Sequence, residues 1–117
     1  MEIRELYDRI GGNFDEAKKR MMKEEWVSKY ACLFLKDKSF SDLKEAMQKD
    51  DMEAAFNAAH TLKGVCANLS FDALYKLANV ITEDLRHQDD VEDAKRVFKD
   101  LENQYDITVA AIEEYSN

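Results

Sequence analysis

Proline is absent from the 117-residue sequence and glycine occurs only three times, so little in the chain interrupts a regular backbone. Proline breaks helices, while glycine supplies the tight turns of β-hairpins and of nucleotide-binding loops. No segment alternates apolar and polar residues with the period of a strand, whereas helix-period patterns recur along the whole chain. The sequence therefore predicts an all-α protein, and the scarcity of glycine argues against the phosphate-binding loop of a kinase or NTPase.

Basic residues and long apolar runs are also scarce. The 25 acidic residues outnumber the 17 basic ones and leave a formal charge of −8. Binding to nucleic acids and to anionic membrane surfaces depends on Lys and Arg, so this balance disfavours both partners. The longest strongly apolar run covers only residues 31–35, and the N-terminus lacks the apolar region of a signal peptide. A single-domain cytoplasmic protein is expected, with no membrane and no nucleic acid among its partners.

Cysteine and histidine occur twice each, without the spacing of a metal site. Cys32 and Cys66 lie in predicted helices, where buried free thiols are favoured over a disulfide in a reducing compartment. His87 is 27 residues from His60, and no cluster of cysteine or histidine joins either one. We therefore expect no metal ion and no cofactor in this protein.

Apolar stripes at helical spacing, separated by capping residues, divide the chain into predicted helices. These helices cover approximately residues 2–10, 14–22, 23–36, 39–50, 52–69, 71–87 and 91–115. Gly11 and Gly12 end the first helix. The capping residues predicted for later helices are Asn13 with Glu16, the stretch Ser39–Asp42, Asp50 with Asp51, and Ser70.

The predicted fold is an antiparallel four-helix bundle, residues 23–117, with additional short helices at its periphery, residues 1–22. The four walls are expected at about 23–36, 39–50, 52–69 and 71–87. The helix over 91–115 replaces the last of these if the helix over 39–50 caps one end. The narrow apolar seam of the helix over 91–115 could also meet a second copy, but a partner within the chain is favoured and a monomer is expected.

The helix predicted over 52–69 carries a histidine on its polar side. At about 100° per residue, its apolar residues lie within about 60° of the direction opposite to His60. These apolar residues are Ala55, Ala58, Leu62, Cys66 and Leu69. The side of His60 instead holds Glu53, Phe56, Asn57, Lys63, Gly64 and Ala67. The imidazole of His60 is therefore predicted to be exposed.

Lys63 and Gly64 give this exposed imidazole a specific environment. A glycine inside a helix costs about 1 kcal/mol relative to alanine, and nothing near Gly64 suggests that the helix ends there. Because helical side chains lean toward the N-terminus, a larger residue at 64 would cover the ring of His60. Lys63 lies three residues after the histidine, where its ammonium group can reach whatever the ring carries, and a cation there suits a phosphoryl group.

The sequence His60-Thr61-Leu62-Lys63-Gly64, followed by Asn68-Leu69, resembles the signature of the histidine-containing phosphotransfer (HPt) domain of phosphorelays. The similarity in spacing and composition extends from about residue 14 to residue 86. The family usually has glycine after the Asn-Leu pair, where this chain has Ser70, and this difference affects the expected turn but not the site. The resemblance implies a four-helix bundle with extra peripheral helices, in agreement with the patterning.

The resemblance also implies a function. His60 would accept a phosphoryl group from an aspartyl phosphate on a receiver domain and pass it to another receiver. Lys63 would neutralise phosphoryl charge, and Gly64 would keep the ring accessible. The receiver supplies the aspartate and Mg²⁺, so this chain would be a phosphocarrier without autokinase activity that binds neither ATP nor metal.

A second group of candidates follows if the helices on either side of Ser70 pack antiparallel. Residues about ten positions beyond that turn then lie level with His60, namely Asn79, Thr82 and Arg86. Arg86 is the candidate for a second cation. The residues expected to dock the receiver are Phe56, Asn57, Ala67, Asn79, Thr82 and Arg86. A solvated helix face is the alternative for the last three, and Phe56 is either a docking contact or covered by a neighbouring helix.

Two other functions are compatible with an exposed histidine on a helix. The dimerising histidine domain of a sensor kinase is also a helical hairpin, but such domains usually follow the histidine with an acidic residue, where this chain has Thr61. A non-catalytic helical adaptor would bind its partner through the acidic surface and leave His60 chemically inert. Dimerisation would identify the first alternative and an unreactive histidine the second.

Overall fold

Seven α-helices and one 3₁₀ turn form the computed structural model, which describes residues 1–117. The helices are α1 (Ile3–Ile10), α2 (Phe14–Met21), α3 (Glu24–Leu33), α4 (Ser39–Gln48), α5 (Met52–Leu69), α6 (Asp72–Leu85) and α7 (Val91–Ser116), and the 3₁₀ turn is Phe34–Lys36. The all-α prediction is confirmed, and the helix ends differ from the expected ones by only a few residues. None of the helices has the length and apolarity that a membrane span requires.

Two of the predicted helix boundaries are formed by the capping residues identified in the sequence. The Oδ1 atom of Asn13 accepts a hydrogen bond from the Glu16 N–H at 3.0 Å, which starts α2. Asp51 accepts one from the Ala54 N–H at 3.1 Å, which starts α5. Gly11 ends α1 with a φ of 70°, a left-handed conformation that glycine adopts at little cost.

Two other capping predictions are wrong. Ser70 ends α5 in the left-handed conformation, with a φ of 56°, and does not cap α6. Its hydroxyl instead accepts a hydrogen bond from Arg20 at 2.8 Å and donates one to Glu16 at 3.1 Å. At the start of α4, the cap comes from Asp37, before the predicted stretch, because its carboxylate accepts a hydrogen bond from the Ser39 N–H at 3.0 Å.

The helices α4, α5, α6 and α7 form an antiparallel bundle in which each helix packs against the next. Contacts between α4 and α7 close it. The ring of Phe40 stacks on those of Phe98 and Tyr105, with centroid distances of 5.7 and 3.9 Å. Lys44 and Glu102 add an ion pair of 2.6 Å between the same helices. These four helices form the walls of the bundle. Helix α5, which carries the histidine, is therefore packed against both α4 and α6.

The structure places α3 outside these walls, which differs from the set of helices expected from the sequence. Only Val27 and Ala31 of α3 are buried, so its apolar contact surface is too narrow for a central wall. Instead α3 packs mainly against α2 and also contacts α1, α5 and α7. Its aromatic side chains Trp26 and Tyr30 stack on each other and remain exposed.

The N-terminal helices hold the turn between α5 and α6. The buried hydroxyl of Tyr7 donates a hydrogen bond to the Leu69 carbonyl at 2.8 Å. The Asn13 N–H donates one to the Ser70 carbonyl at 2.9 Å. One continuous core of 27 buried hydrophobic residues connects these helices with the bundle. The C-terminal end of α5 is therefore fixed from outside the bundle as well as from within it.

Candidate functional site

His60 lies in the middle of α5 with its side chain exposed, while Ala59 and Leu62 on the same helix are fully buried. The imidazole stacks against the ring of Phe56, one turn earlier, with a centroid distance of 6.0 Å and an interplanar angle of 15°. Phe56 itself is partly buried. The aromatic contact restrains the orientation of the imidazole and leaves the ring accessible from solvent.

The residues that follow His60 on α5 leave space around the ring. Gly64 and Ala67 are exposed, and Lys63 is partly buried. A Cβ atom added at Gly64 would have no heavy atom within 4 Å, apart from its own helix backbone and neighbours. Asn57 on the other side is exposed, and its carbonyl accepts a hydrogen bond from the Thr61 hydroxyl at 3.0 Å. An incoming group can therefore approach the imidazole along this strip of α5.

Arg86, directly after the last residue of α6, places a cation beside Phe56 of α5. The guanidinium carbon of Arg86 lies 5.3 Å from the centroid of the Phe56 ring. Its Nε and Nη2 atoms donate hydrogen bonds to Glu83 Oε2 at 3.1 and 2.8 Å. The structure thus brings Arg86 next to the aromatic partner of His60. Phe56 is partly buried between these two side chains, and its role as a docking contact stays a prediction.

Glu83 is a residue of this site that the sequence analysis did not identify. The hydrogen bonds from Arg86 lower the pKa of the Glu83 carboxyl below its ordinary value. The charges of Arg86, Lys63 and His60 act in the same direction. The three-residue spacing between Glu83 and Arg86 on a predicted helix was the available signal, since opposite charges at that spacing are neighbours. The site therefore contains one carboxylate among its basic groups.

Thr82 does not belong to the exposed site, and its predicted docking role is wrong. Its side chain is fully buried, and its hydroxyl donates a hydrogen bond to the Ala78 carbonyl at 2.7 Å. One residue changes the direction on a helix by about 100°, so α6 turns Thr82 into the core and Glu83 outward. Asn79 lies one turn before Glu83 and is partly buried.

A groove between α3 and the second half of α5 was also not anticipated. It has a volume of about 420 Å³ and is lined mainly by apolar side chains. Tyr30 and Leu33 of α3 form one wall, and Val65 and Leu69 of α5 form the other. Its lining also includes Asn68, which directly follows the exposed Ala67 on α5.

Both cysteines are free, as expected, but only Cys66 is buried, and Cys32 is partly exposed. Cys66 is fully buried, and burial raises the pKa of its thiol to about 12. Burial also raises the pKa of Cys32. Because the thiolate is the reactive form of cysteine, these shifts make both thiols less reactive at neutral pH.

A family model described as Hpt domain matches residues 37–113. The matched residues include α4, α5, α6 and most of α7, which are the four walls of the bundle, together with His60, Lys63 and Arg86. Helices α1, α2 and α3 precede the match. No curated protein and no solved structure matches the chain.

Proposed function

The chain belongs to the Hpt domain family, and on this premise we propose that it is a phosphorelay carrier that uses His60. In this role His60 accepts a phosphoryl group from the aspartyl phosphate of a receiver domain and passes it to a second receiver. The observation that carries the proposal is the exposed imidazole of His60 within the matched bundle, with Lys63 and Arg86 nearby.

The proposed transfer needs only one nucleophile from this chain. A neutral ring nitrogen of His60 attacks the phosphorus with its lone pair and forms an N–P bond. The P–O bond to the receiver's aspartate breaks, and its electron pair leaves with the carboxylate. The other ring nitrogen keeps its proton through this step. Attack by the aspartate of the second receiver reverses the exchange and restores the free imidazole.

The remaining residues position and neutralise the transferred group. Lys63 and Arg86 are the cations available for charge-assisted hydrogen bonds to phosphoryl oxygens. Gly64 keeps the approach to the ring open. Phe56, Asn57, Ala67 and Asn79 are the proposed contacts of the docked receiver, with Arg86 at the edge of this surface.

The proposed partner supplies what this chain lacks for phosphoryl transfer. The receiver provides the aspartate and its Mg²⁺, so His60 needs no metal of its own. We propose a cytoplasmic, monomeric carrier without autokinase activity. A monomer in gel filtration would distinguish it from the dimerising domain of a sensor kinase.

Incubation with a phosphorylated receiver domain tests the proposal. The parent protein and His87→Gln are expected to gain a phosphate that is labile in acid and stable in base, whereas His60→Gln gains none. His87→Gln is the matched control because it removes the only other histidine. A folded parent protein that is never labelled would favour the adaptor function. Equal labelling of His60→Gln would assign the phosphate to another residue.

A further inference from the structure

Glu83 is paired with Arg86, a cation that the phosphoryl group would need. Its carboxylate accepts two hydrogen bonds from Arg86, and the Arg86 guanidinium lies over Phe56, which stacks on His60. The side chains of Arg86 and Glu83 are 41% and 52% exposed, so nothing locks the pair in place. Both side chains can therefore exchange partners by rotation about their own bonds.

We infer that Glu83 is a positioning residue that holds Arg86 while His60 is unmodified and thereby limits the stability of the phosphorylated state. This inference rests on the proposed function. A phosphoryl group adds about −1.5 to −2 charges beside Glu83 and competes with it for Arg86. Arg86 must leave the carboxylate before it can contact the phosphoryl oxygens.

The consequence concerns how readily the phosphate is passed on. An exposed ion pair shifts an equilibrium by up to about fivefold, so Glu83 makes phosphohistidine less stable by a factor of that size. A less stable phosphohistidine is a better donor to the next receiver. Glu83 therefore biases the site toward donation, while Lys63, which forms no comparable ion pair with it, remains available to the phosphoryl group.

The lifetime of the phosphorylated chain measures this effect without any receiver. Phosphoramidate can label the full-length protein, because its P–N bond breaks with loss of ammonia as the N–P bond to His60 forms. Hydrolysis then transfers the phosphoryl group to water, and the ring nitrogen takes back the electron pair. Phosphorus NMR follows both steps. All proteins carry His87→Gln, so that the signal reports His60 alone.

Four variants separate an effect through Arg86 from simple removal of charge. They are Glu83→Gln, Arg86→Ala, the double variant, and Glu53→Gln as the matched control. Glu53 is exposed on the His60 side of α5 about two turns earlier, so its substitution removes the same charge from the same surface. Circular dichroism verifies that each protein is folded.

Glu83→Gln is expected to lengthen the phosphohistidine lifetime by about two- to fivefold, and Arg86→Ala to shorten it. In the Arg86→Ala background, Glu83→Gln should produce less than half of that gain. An unchanged lifetime, an equal gain in both backgrounds, or an equal gain from Glu53→Gln would overturn the inference, as would a His60 that phosphoramidate does not label. Failure of transfer from a receiver, with this lifetime pattern intact, would instead contradict the proposed function.

Discussion

His60 and Leu62 are two residues apart on α5, yet one is exposed and the other is fully buried. Two residues rotate the direction on an α-helix by about 200°, which is enough to separate solvent from core. The stability of the bundle therefore depends on Leu62 and its buried neighbours. The chemistry proposed for the site depends on residues that contribute little to the core.

His60→Gln is accordingly expected to leave the free energy of unfolding within about 0.5 kcal/mol of the parent value. The reason is that an exposed side chain makes few packing contacts in the folded protein. Chemical denaturation followed by circular dichroism measures this. A loss of more than about 1.5 kcal/mol would show that the imidazole contributes to packing through Phe56.

Gly64 combines a local cost in stability with a proposed benefit in access. Gly64→Ala should stabilise the protein by up to about 1 kcal/mol, because the helix is regular there and an added Cβ meets no atom within 4 Å. Gly64→Gln should remain close to the parent in stability but slow phosphate acceptance, since its side chain leans toward His60. Melting temperature and transfer rate are measured on all three proteins. A transfer rate that is the same in all three would show that the ring is not approached from this side.

Residue spacing predicts the relative directions of the candidate residues on α5, but only some of those on α6. His60, Lys63 and Gly64 share one helix, so the helical period alone fixes their relative directions. Thr82 and Glu83 belong to a second helix, and its rotation relative to α5 depends on which residues pack between the two. A one-residue error in that rotation exchanges Thr82 for Glu83, so the sequence predicts Thr82 where the structure has Glu83.

At the scale of the elements, α2 and the loop before it fix the turn that follows α5. Ser70 adopts a left-handed conformation, which costs a non-glycine residue about 1 kcal/mol or more. Hydrogen bonds with Arg20 and Glu16 offset this cost. The family resemblance leads one to expect glycine at this position, and the φ of 56° gives the physical reason.

Gly12→Ala should weaken this junction. An added Cβ would lie 2.7 Å from Cδ2 of the buried Tyr7 ring and 3.1 Å from the Ser70 carbonyl oxygen, so one of them must move. Overpacking of this kind costs about 1 to 3 kcal/mol. Denaturation midpoints of Gly12→Ala and Gly64→Ala should therefore shift in opposite directions. A stabilising effect of both substitutions would mean that the α1–α2 loop does not press against the α5–α6 turn.

The helices themselves were predictable, whereas their arrangement was only partly so. Apolar stripes and caps such as Asn13 and Asp51 define where a helix lies along the chain. They do not define which helix it meets, because any amphipathic helix can pack against several others. The sequence therefore suggested α3 as a wall of the bundle. The stacking of Phe40 on Tyr105, which closes α4 against α7, joins residues 65 positions apart and left no local signal.

At the scale of the whole molecule, one segment of the chain is basic while the rest is acidic. Residues 17–38 contain seven Lys or Arg and three Asp or Glu, whereas the rest of the chain contains ten and 22. This basic segment includes α3, which borders the groove beside the second half of α5. Arg20 also donates a hydrogen bond to the Asn68 carbonyl at 3.0 Å, so the segment is held against the helix that carries His60.

This asymmetry predicts how a receiver domain approaches. The partner's phosphorylated aspartate is negatively charged, and at about 0.1 M salt only charges within about 10 Å influence it strongly. Local charge near the docking surface should therefore matter more than the net charge of −8. Lys29 is an exposed cation of α3, the helix that borders this groove. If a docked receiver extends over the groove, Lys29→Glu slows association by about threefold or more, because reversing a charge near an interface acts mainly on the association rate. Lys99→Glu on α7 changes the net charge equally at another exposed position and should have little effect.

Stopped-flow association rates of both variants, with a receiver domain that exchanges phosphate with the parent protein, distinguish the two positions. Equal slowing by both substitutions would mean that net charge, and not the basic segment beside α5, governs the encounter.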